Sequence, residues 1–300
     1  MRAQTLVMLS VAGTAFLGGL FLTVLRRDQA TLENSFVDMS ILPPVSRRER
    51  VAPTGTPLPP VLHARTLTRA ESPYLLSGTT TIPTGDTVRA ERGTVVLAAA
   101  WSRLVIEGMF MVEGSALSSN EAHPDRRLWH GLVVQRGGTF RALESVISDA
   151  SAGITCAAQG TVDVRGVVLT NNAASVVVLP ESTACRVAGA TITNGRVGII
   201  ALGGTPEIVS LTLNAVHDGL RVFHEARPRL GNLVVRATRH AVIVSTAHGD
   251  LVIRSLALAP GADASSLIID GADLPTHAWR GRTYPTGRVR AETIVALPPR

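Results

Sequence analysis

Residues 131–135 read GLVVQ, and five segments of the same kind follow along the chain. They begin at Gly153 (GITCA), Ser175 (SVVVL), Gly198 (GIIAL), Gly219 (GLRVF) and Ala241 (AVIVS). Successive segments start 22, 22, 23, 21 and 22 residues apart, and a period of this length is typical of stacked repeats. Each segment is a short run of mainly aliphatic residues, which indicates a β-strand.

Two further strand-like segments lie in each repeat. Residues 139–143 (TFRAL) and 161–165 (TVDVR) are examples of the second, and residues 167–171 (VVLTN) are an example of the third. Three strands of four or five residues, joined by turns of Gly, Asn and Asp, leave no room for a crossover helix. The pattern therefore predicts an all-β fold, a parallel β-helix in which each coil stacks on the preceding one.

The composition agrees with this fold and excludes several others. Hydrophobic residues make up 45% of the chain and aromatic residues 4%, while all 29 basic residues are Arg. The hydrophobic share excludes disorder for most of the length, and plentiful Gly, Val and Thr argue against long helices and coiled coils. Residues 73–273 carry sixteen Arg against seventeen acids, so the body lacks the basic stripe of nucleic-acid-binding domains. We expect no nucleic-acid partner.

The beginning of the chain is a candidate membrane span. Residues 5–25 contain no charged side chain, and about 20 apolar residues suffice to cross a bilayer. No small-x-small cleavage site followed by a polar mature start appears after this segment, because the chain runs directly into Arg26 and Arg27. An uncleaved anchor in residues 1–27 is therefore favoured over a removed signal peptide. We expect a single-pass protein of the cell membrane with its body on the periplasmic or extracellular side. The flanking charges are balanced and do not decide the orientation.

Two segments flank the repeat body. Residues 28–72 are rich in Pro and Arg and predict an extended linker, which would hold residues 73–273 away from the bilayer. Residues 274–300 carry five Arg against one acid and form a basic tail or cap. The basic ends suit contact with anionic lipid headgroups or envelope polymers, and solvated tails are the alternative.

Stacking places equivalent residues of successive coils above one another. The positions one and three residues after each start are apolar in every coil, and they predict two interior columns. These columns are Leu132, Ile154, Val176, Ile199, Leu220 and Val242, and then Val134, Cys156, Val178, Ala201, Val222 and Val244. We expect Cys156 and Cys185 to be buried thiols. We also expect Asp149, Asn171 and Asn194 to stack at a turn and bind its backbone.

Several motifs of the body carry a resemblance to a known family. They are the G-[IL]-x-V starts, the third-strand motifs at residues 168–171 (VLTN) and 191–194 (TITN), and residues 129–132 (WHGL). On these residues the body resembles the right-handed parallel β-helix repeat proteins of the pectate-lyase-like superfamily, in particular bacterial cell-envelope members. The resemblance implies the fold and its right-handed coil. It does not fix a function, because the family includes lyases, hydrolases, epimerases, adhesins and scaffolds.

Two outward columns on the first strands decide between an enzyme and a binding protein. The resemblance implies that a pectin-cleaving enzyme would carry acids, bases and calcium ligands on this face. Here the columns are Val133, Thr155, Val177, Ile200, Arg221 and Ile243, and then Gln135, Ala157, Leu179, Leu202, Phe223 and Ser245, without one carboxylate. The nearest approach to a catalytic group is His217 and Asp218 with His224 and Glu225. We expect no cofactor and no metal.

Apolar residues of these columns form a stripe that predicts an interface. Its members are Val133, Val177, Leu179, Ile200, Leu202, Phe223 and Ile243, with Arg221 between them. We expect residues 290–298, a loop or a second copy of the chain to cover it. The sequence thus predicts a membrane-anchored scaffold or binding module of the bacterial cell envelope, whose partner is a glycan or another envelope protein. The alternative is a lyase, hydrolase or epimerase acting on an acidic polysaccharide.

Overall fold

The body of the chain is a stack of parallel β-strands. The computed structural model describes residues 54–120, 128–182, 184–223, 226–236, 238, 240–245, 251–258, 268–270 and 289–296. Within those residues neighbouring strands pair in parallel and no α-helix is present. The predicted β-helix is therefore confirmed as an all-β parallel solenoid of about eight turns.

The described strands, numbered in chain order, form two sheets. The first sheet takes one strand from each coil: β4 Thr79–Ile82, β7 Arg103–Ile106, β10 Gly131–Val134, β13 Ala152–Cys156, β16 Ala174–Val178, β18 Val197–Ala201, β20 Asp218–Phe223, β22 His240–Ser245 and β24 Ile268–Asp270. Each of these strands pairs with the equivalent strand of the next coil, so the sheet runs along the whole solenoid.

The second sheet contains the remaining strands. One row is β2 Arg65–Leu67, β5 Thr87–Ala90, β8 Met109–Glu113, β11 Thr139–Leu143 and β14 Thr161–Arg165. The other row is β1 Thr56–Pro57, β3 Tyr74–Leu76, β6 Val95–Ala98, β9 Ala116–Ser119, β12 Val146–Ser148 and β15 Val168–Thr170. The two rows then merge into β17 Ala184–Thr193, β19 Glu207–Asn214, β21 Arg229–Arg236, β23 Leu251–Leu258 and β25 Val289–Ala296.

The merger is a departure from the predicted three strands per coil. In β17 the second and third strands run together through Gly189, whose φ is +63°, and the pairing with β19 shifts register near Ala188. The equivalent Gly166 has a φ of +60° but separates β14 from β15. Both coils therefore keep a left-handed glycine at this corner, and the hydrogen bonding around it differs.

The interior columns lie where the alternation of apolar residues predicts them. Parallel pairing puts equivalent positions of successive coils in register. None of the following side chains is more than 1% exposed: Leu132, Ile154, Val176, Ile199, Leu220 and Val242, and Val134, Cys156, Val178, Ala201 and Val222. These columns exclude water along the axis of the solenoid, and their burial is the main source of its stability.

The two cysteines are buried free thiols, as predicted. The Sγ atom of Cys156 lies 2.9 Å from the hydroxyl of Ser182. A hydrogen bond with Cys185 lowers the pKa of the Cys156 thiol, whereas the same contact and burial raise the pKa of Cys185. Both side chains pack as small members of the core.

The residues of the predicted polar column lie at turns, but Asp149 accepts hydrogen bonds from the side chains of Ser118, Ser148 and Asn171 and not from the turn backbone. Asp149, Asn171 and Asn194 have φ values of +59°, +56° and +52°, a conformation that Asn and Asp tolerate better than other side chains. The side-chain amide of Asn171 donates to Oδ1 of Asp149 at 3.2 Å. This column is accounted for by turn geometry and by stacking.

The solenoid extends further in both directions than the sequence predicts. β1 pairs with β3, and β2 pairs with β5, so residues 56–67 of the predicted linker belong to the solenoid. A proline fits there because β1 is at the edge of its sheet, where a missing N–H removes no internal ladder bond. β25 pairs with β23, so the apolar run of the predicted tail extends the second sheet and does not cover the first.

Several predicted segments lie outside the described residues. They include the candidate anchor in residues 1–27, the linker up to residue 53 and the tail residues 274–288. In the part of the chain that the structure describes, no helix has the length and hydropathy needed to span a membrane. The anchor and its orientation stay predictions.

Candidate functional site

Ionisable side chains meet at the beginnings of two neighbouring strands of the first sheet. β20 begins at Asp218 and β22 begins at His240, and these residues are register partners one coil apart. In the three preceding coils the same position holds Ala152, Ala174 and Val197. The column therefore changes from apolar to ionisable at Asp218.

Asp218 is at the centre of this group. Its side chain is 1% exposed, and both carboxylate oxygens accept hydrogen bonds. Oδ1 accepts from Nδ1 of His217 at 3.0 Å and from Nδ1 of His240 at 2.7 Å. Oδ2 accepts from Nε of Arg221 at 3.0 Å and from its Nη2 at 2.5 Å. We call His217, Asp218, Arg221 and His240 the Asp218 cluster.

The partners of Asp218 outweigh the effect of its burial. Desolvation by itself raises the pKa of the carboxyl, whereas hydrogen bonds from His217 and His240, together with the charge and hydrogen bonds of Arg221, lower it. The balance holds the pKa of Asp218 well below its ordinary value. The carboxylate is therefore ionised at neutral pH and is a weak general base.

The cluster fixes the orientation of two imidazole rings. An ionised carboxylate only accepts hydrogen bonds, so Nδ1 carries a proton in both His217 and His240. Their rings meet edge to face with centroids 5.8 Å apart. Side-chain exposure is 13% for His240, 21% for Arg221 and 38% for His217, so solvent reaches the cluster mainly at His217. Oriented imidazoles suit proton transfer or the binding of a cation.

The sequence predicts only part of this cluster. The structure brings His217 and Asp218 together, whereas His224 and Glu225 lie outside the described residues. Arg221, predicted as an interface residue, is also a bonding partner of Asp218. His240 is not among the residues predicted from the sequence, although its spacing of 22 residues from Asp218 matches the repeat and marks a register partner.

The outward column of the first sheet has the predicted register. Strands β10 to β22 align Val133, Thr155, Val177, Ile200, Arg221 and Ile243. Val177 is 4% exposed, and the other described apolar members of the predicted stripe are half-buried: Val133, Leu179, Ile200, Leu202 and Phe223. Strands in a sheet are about 4.8 Å apart, so neighbouring side chains of the column cover one another in part.

An exposed aromatic ring lies at the other end of the first sheet. Trp101 precedes β7, is 65% exposed and has a φ of +66°, which is unusual for a large side chain. Its ring centroid lies 5.6 Å from that of His130. Arg103 begins β7 and donates from Nε to the hydroxyl of Thr79 at 3.1 Å. Burial, and then the charge of Arg103, lower the pKa of His130. Trp101 is not among the residues predicted from the sequence.

Packing explains the WHGL motif at residues 129–132. Trp129 is 1% exposed, and its indole N–H donates to the carbonyl of Ser148 at 2.8 Å. Gly131 has a φ of +88°, and a Cβ atom there would lie 1.7 Å from the carbonyl oxygen of Ala152. The motif thus closes one coil onto the next.

Comparison with protein-family models, curated proteins and solved structures finds no match to this chain. The family resemblance therefore rests on the repeat residues themselves.

Proposed function

We propose that this chain is a membrane-anchored β-helix of the bacterial cell envelope that works as a scaffold or binding module. Residues 5–25 hold it in the membrane, and the body has the right-handed coil of the pectate-lyase-like superfamily that its repeats resemble. The outward face of the first sheet binds the partner, which is an envelope glycan or another envelope protein.

The observation that carries this proposal is the make-up of that face. Across seven described coils its central column is Thr81, Val105, Val133, Thr155, Val177, Ile200 and Arg221, with no carboxylate. Cleavage of a glycosidic bond usually needs two carboxyl groups facing the substrate. An apolar centre flanked by Trp101 and by Arg103 and Arg221 is instead typical of a binding surface, where Trp and Arg contribute most.

Binding and cleavage can be measured on the same sample. The full-length chain in detergent is mixed with purified cell-wall glycan and with uronic-acid polymers. Co-sedimentation then measures binding, chromatography measures polymer length, and light scattering measures the mass of the chain. We expect retention on a glycan, or self-association, with polymer length unchanged. Shortening of a polymer by a monomeric chain that is retained on no glycan would contradict the proposal.

An enzyme acting on an acidic polysaccharide is the second candidate, and one observation favours it. His217 is half-exposed, and Asp218 holds its Nδ1, so a neutral ring has its lone pair on Nε2. Such a ring can act as a general base, as oriented histidines do in hydrolases. If polymer is cleaved, His217→Gln should abolish cleavage with little change in melting temperature. Cleavage that survives this substitution would remove His217 from the mechanism.

The anchor is tested separately. Because residues 5–25 are uncharged and long enough to span, the full-length chain should stay in the membrane fraction after carbonate washing. Deletion of residues 1–27 should release the body. A mature protein that begins near residue 28 would refute the anchor.

A further inference from the structure

Three side chains of the Asp218 cluster offer ligand atoms to one point. One nitrogen of His217, one nitrogen of His240 and one oxygen of Asp218 lie within 4.8 Å of one another. Asp218 and His240 are held one coil apart by the parallel pairing of β20 with β22, so the backbone fixes their spacing. Two imidazoles and a carboxylate form a ligand set that zinc and related transition metals bind.

We propose that His217, Asp218 and His240 form a binding site for a divalent transition-metal ion of the zinc class. The site adjoins the outward column of the first sheet through Arg221, but its three ligand residues lie outside that column. It does not depend on which envelope partner that column binds.

The hydrogen bonds in the cluster already place the ligand atoms close to a coordination geometry. Bonds of about 2.0–2.2 Å to a tetrahedral zinc ion would separate the ligand atoms by about 3.4 Å. The two nitrogens are now 3.0 Å and 2.7 Å from Oδ1 of Asp218. Each nitrogen would therefore have to move less than about 1 Å away from Oδ1. Each neutral ring moves its proton from Nδ1 to Nε2, so the exchange of two hydrogen bonds for two metal bonds releases no net proton.

Arg221 modulates the site and leaves it accessible. It donates to Oδ2 of Asp218 and leaves Oδ1, the oxygen that faces both imidazoles, to a metal ion. With one carboxylate and one guanidinium, the occupied site carries net positive charge, so binding should be weaker than at a site with several carboxylates. The 38% exposure of His217 provides an entry path and room for water ligands.

Calorimetric titration of the untagged full-length chain in detergent with zinc chloride tests the proposal. We expect His217→Gln and His240→Gln each to weaken zinc binding at least about tenfold. Glutamine keeps a donor for Asp218, so the fold should persist. His63→Gln is the matched control, because His63 is an exposed imidazole whose Nδ1 lies 2.9 Å from a single carboxylate, that of Asp86. This control should bind zinc as the parent does.

A substitution that is expected to strengthen zinc binding shows whether the Asp218 cluster binds metal or only stabilises the fold. Arg221→Gln removes a positive charge beside the ion and should tighten zinc binding severalfold, even though it weakens the cluster itself. Zinc should also raise the melting temperature of the parent and of the control, but not of the two histidine variants. Equal zinc binding and equal melting shifts in the parent and both histidine variants would overturn the proposal. Loss of zinc affinity in Arg221→Gln, or no binding by the parent, would do so too.

Discussion

Ile199 and Ile200 are neighbours in β18 but belong to two regions that follow different rules. Ile199 is 1% exposed, and its column is apolar in every described coil from β10 to β22. Ile200 is half-buried on the outward face, where the same coils place Thr155 and Arg221 in its column. The interior positions have to exclude water in every coil, so their residues are apolar in every coil. The outward positions are not constrained in this way, so residues that differ between coils indicate where function lies.

The strongest test of this comparison is a charge in the interior column. Ile199→Asp should lower the free energy of unfolding by more than about 4 kcal/mol, because no partner can reach a carboxylate there. Ile200→Asp should cost less than about 1 kcal/mol, because water reaches the outward face. Denaturant titration of both variants, followed by circular dichroism, measures the difference. Equal and severe losses would mean that Ile200 is covered as completely as Ile199.

The Asp218 cluster is the clearest difference between coils, and breaking it should have the next largest effect. Asp218→Asn leaves Arg221 and two imidazoles around a neutral amide and should cost on the order of 3 kcal/mol. Asp163→Asn is the control, because its pair with Arg165 is on the surface, is screened by water and should contribute little to stability. A loss in Asp218→Asn no greater than in the control would mean that the cluster contributes little to stability.

A double variant tests whether apolar residues can replace the buried ion pair of Asp218 and Arg221. The preceding coil has Val197 and Ile200 at the positions of Asp218 and Arg221. Asp218→Val combined with Arg221→Ile copies that coil, and replacing a buried ion pair by apolar residues of suitable shape is often neutral or stabilising. We therefore expect the double variant to recover most of the stability lost in Asp218→Asn. Failure to recover it would show that the histidines need the carboxylate for the fold.

Acid should weaken the cluster in a defined range of pH. The folded pKa of Asp218 lies well below its ordinary value of 3.8, so the cluster stabilises the fold above that value and progressively less below it. Between about pH 6 and pH 3 this single group should account for a loss of about 1 kcal/mol. Denaturant titrations of the parent and of Asp218→Asn at both values measure it as a difference. Equal acid sensitivity of the two proteins would contradict the depressed pKa.

The fold and most of the columns could be predicted because both depend on periods in the sequence. The spacing near 22 residues defines the coil, and the alternation along each strand separates Ile199 from Ile200. The merging of strands at Gly189 could not be predicted, since Gly166 has the same residue type and nearly the same φ. The sequence does not show that the solenoid begins at β1, Thr56–Pro57, because prolines are typical of linkers and also fit edge strands.

The candidate site was predicted less completely for a different reason. Asp218 and His240 lie two residues before the interior positions Leu220 and Val242. This position of the coil has no constant residue type, so the repeat does not predict an ionisable residue there. Their contact depends on the register of two coils, which becomes certain only once the strands are paired. Trp101 precedes Gly131, the start of the segments that repeat about every 22 residues, so the repeat spacing does not identify it.

Paired charge substitutions test whether the outward face of the first sheet binds the partner. Leu202→Arg with Phe223→Arg changes that face, and Val209→Arg with Val234→Arg makes the same change at half-buried positions of the second sheet. We expect the first pair to weaken self-association or retention on cell-wall glycan at least about tenfold, with both melting temperatures near that of the parent. Equal binding by the two double variants and the parent would show that this face does not bind the partner.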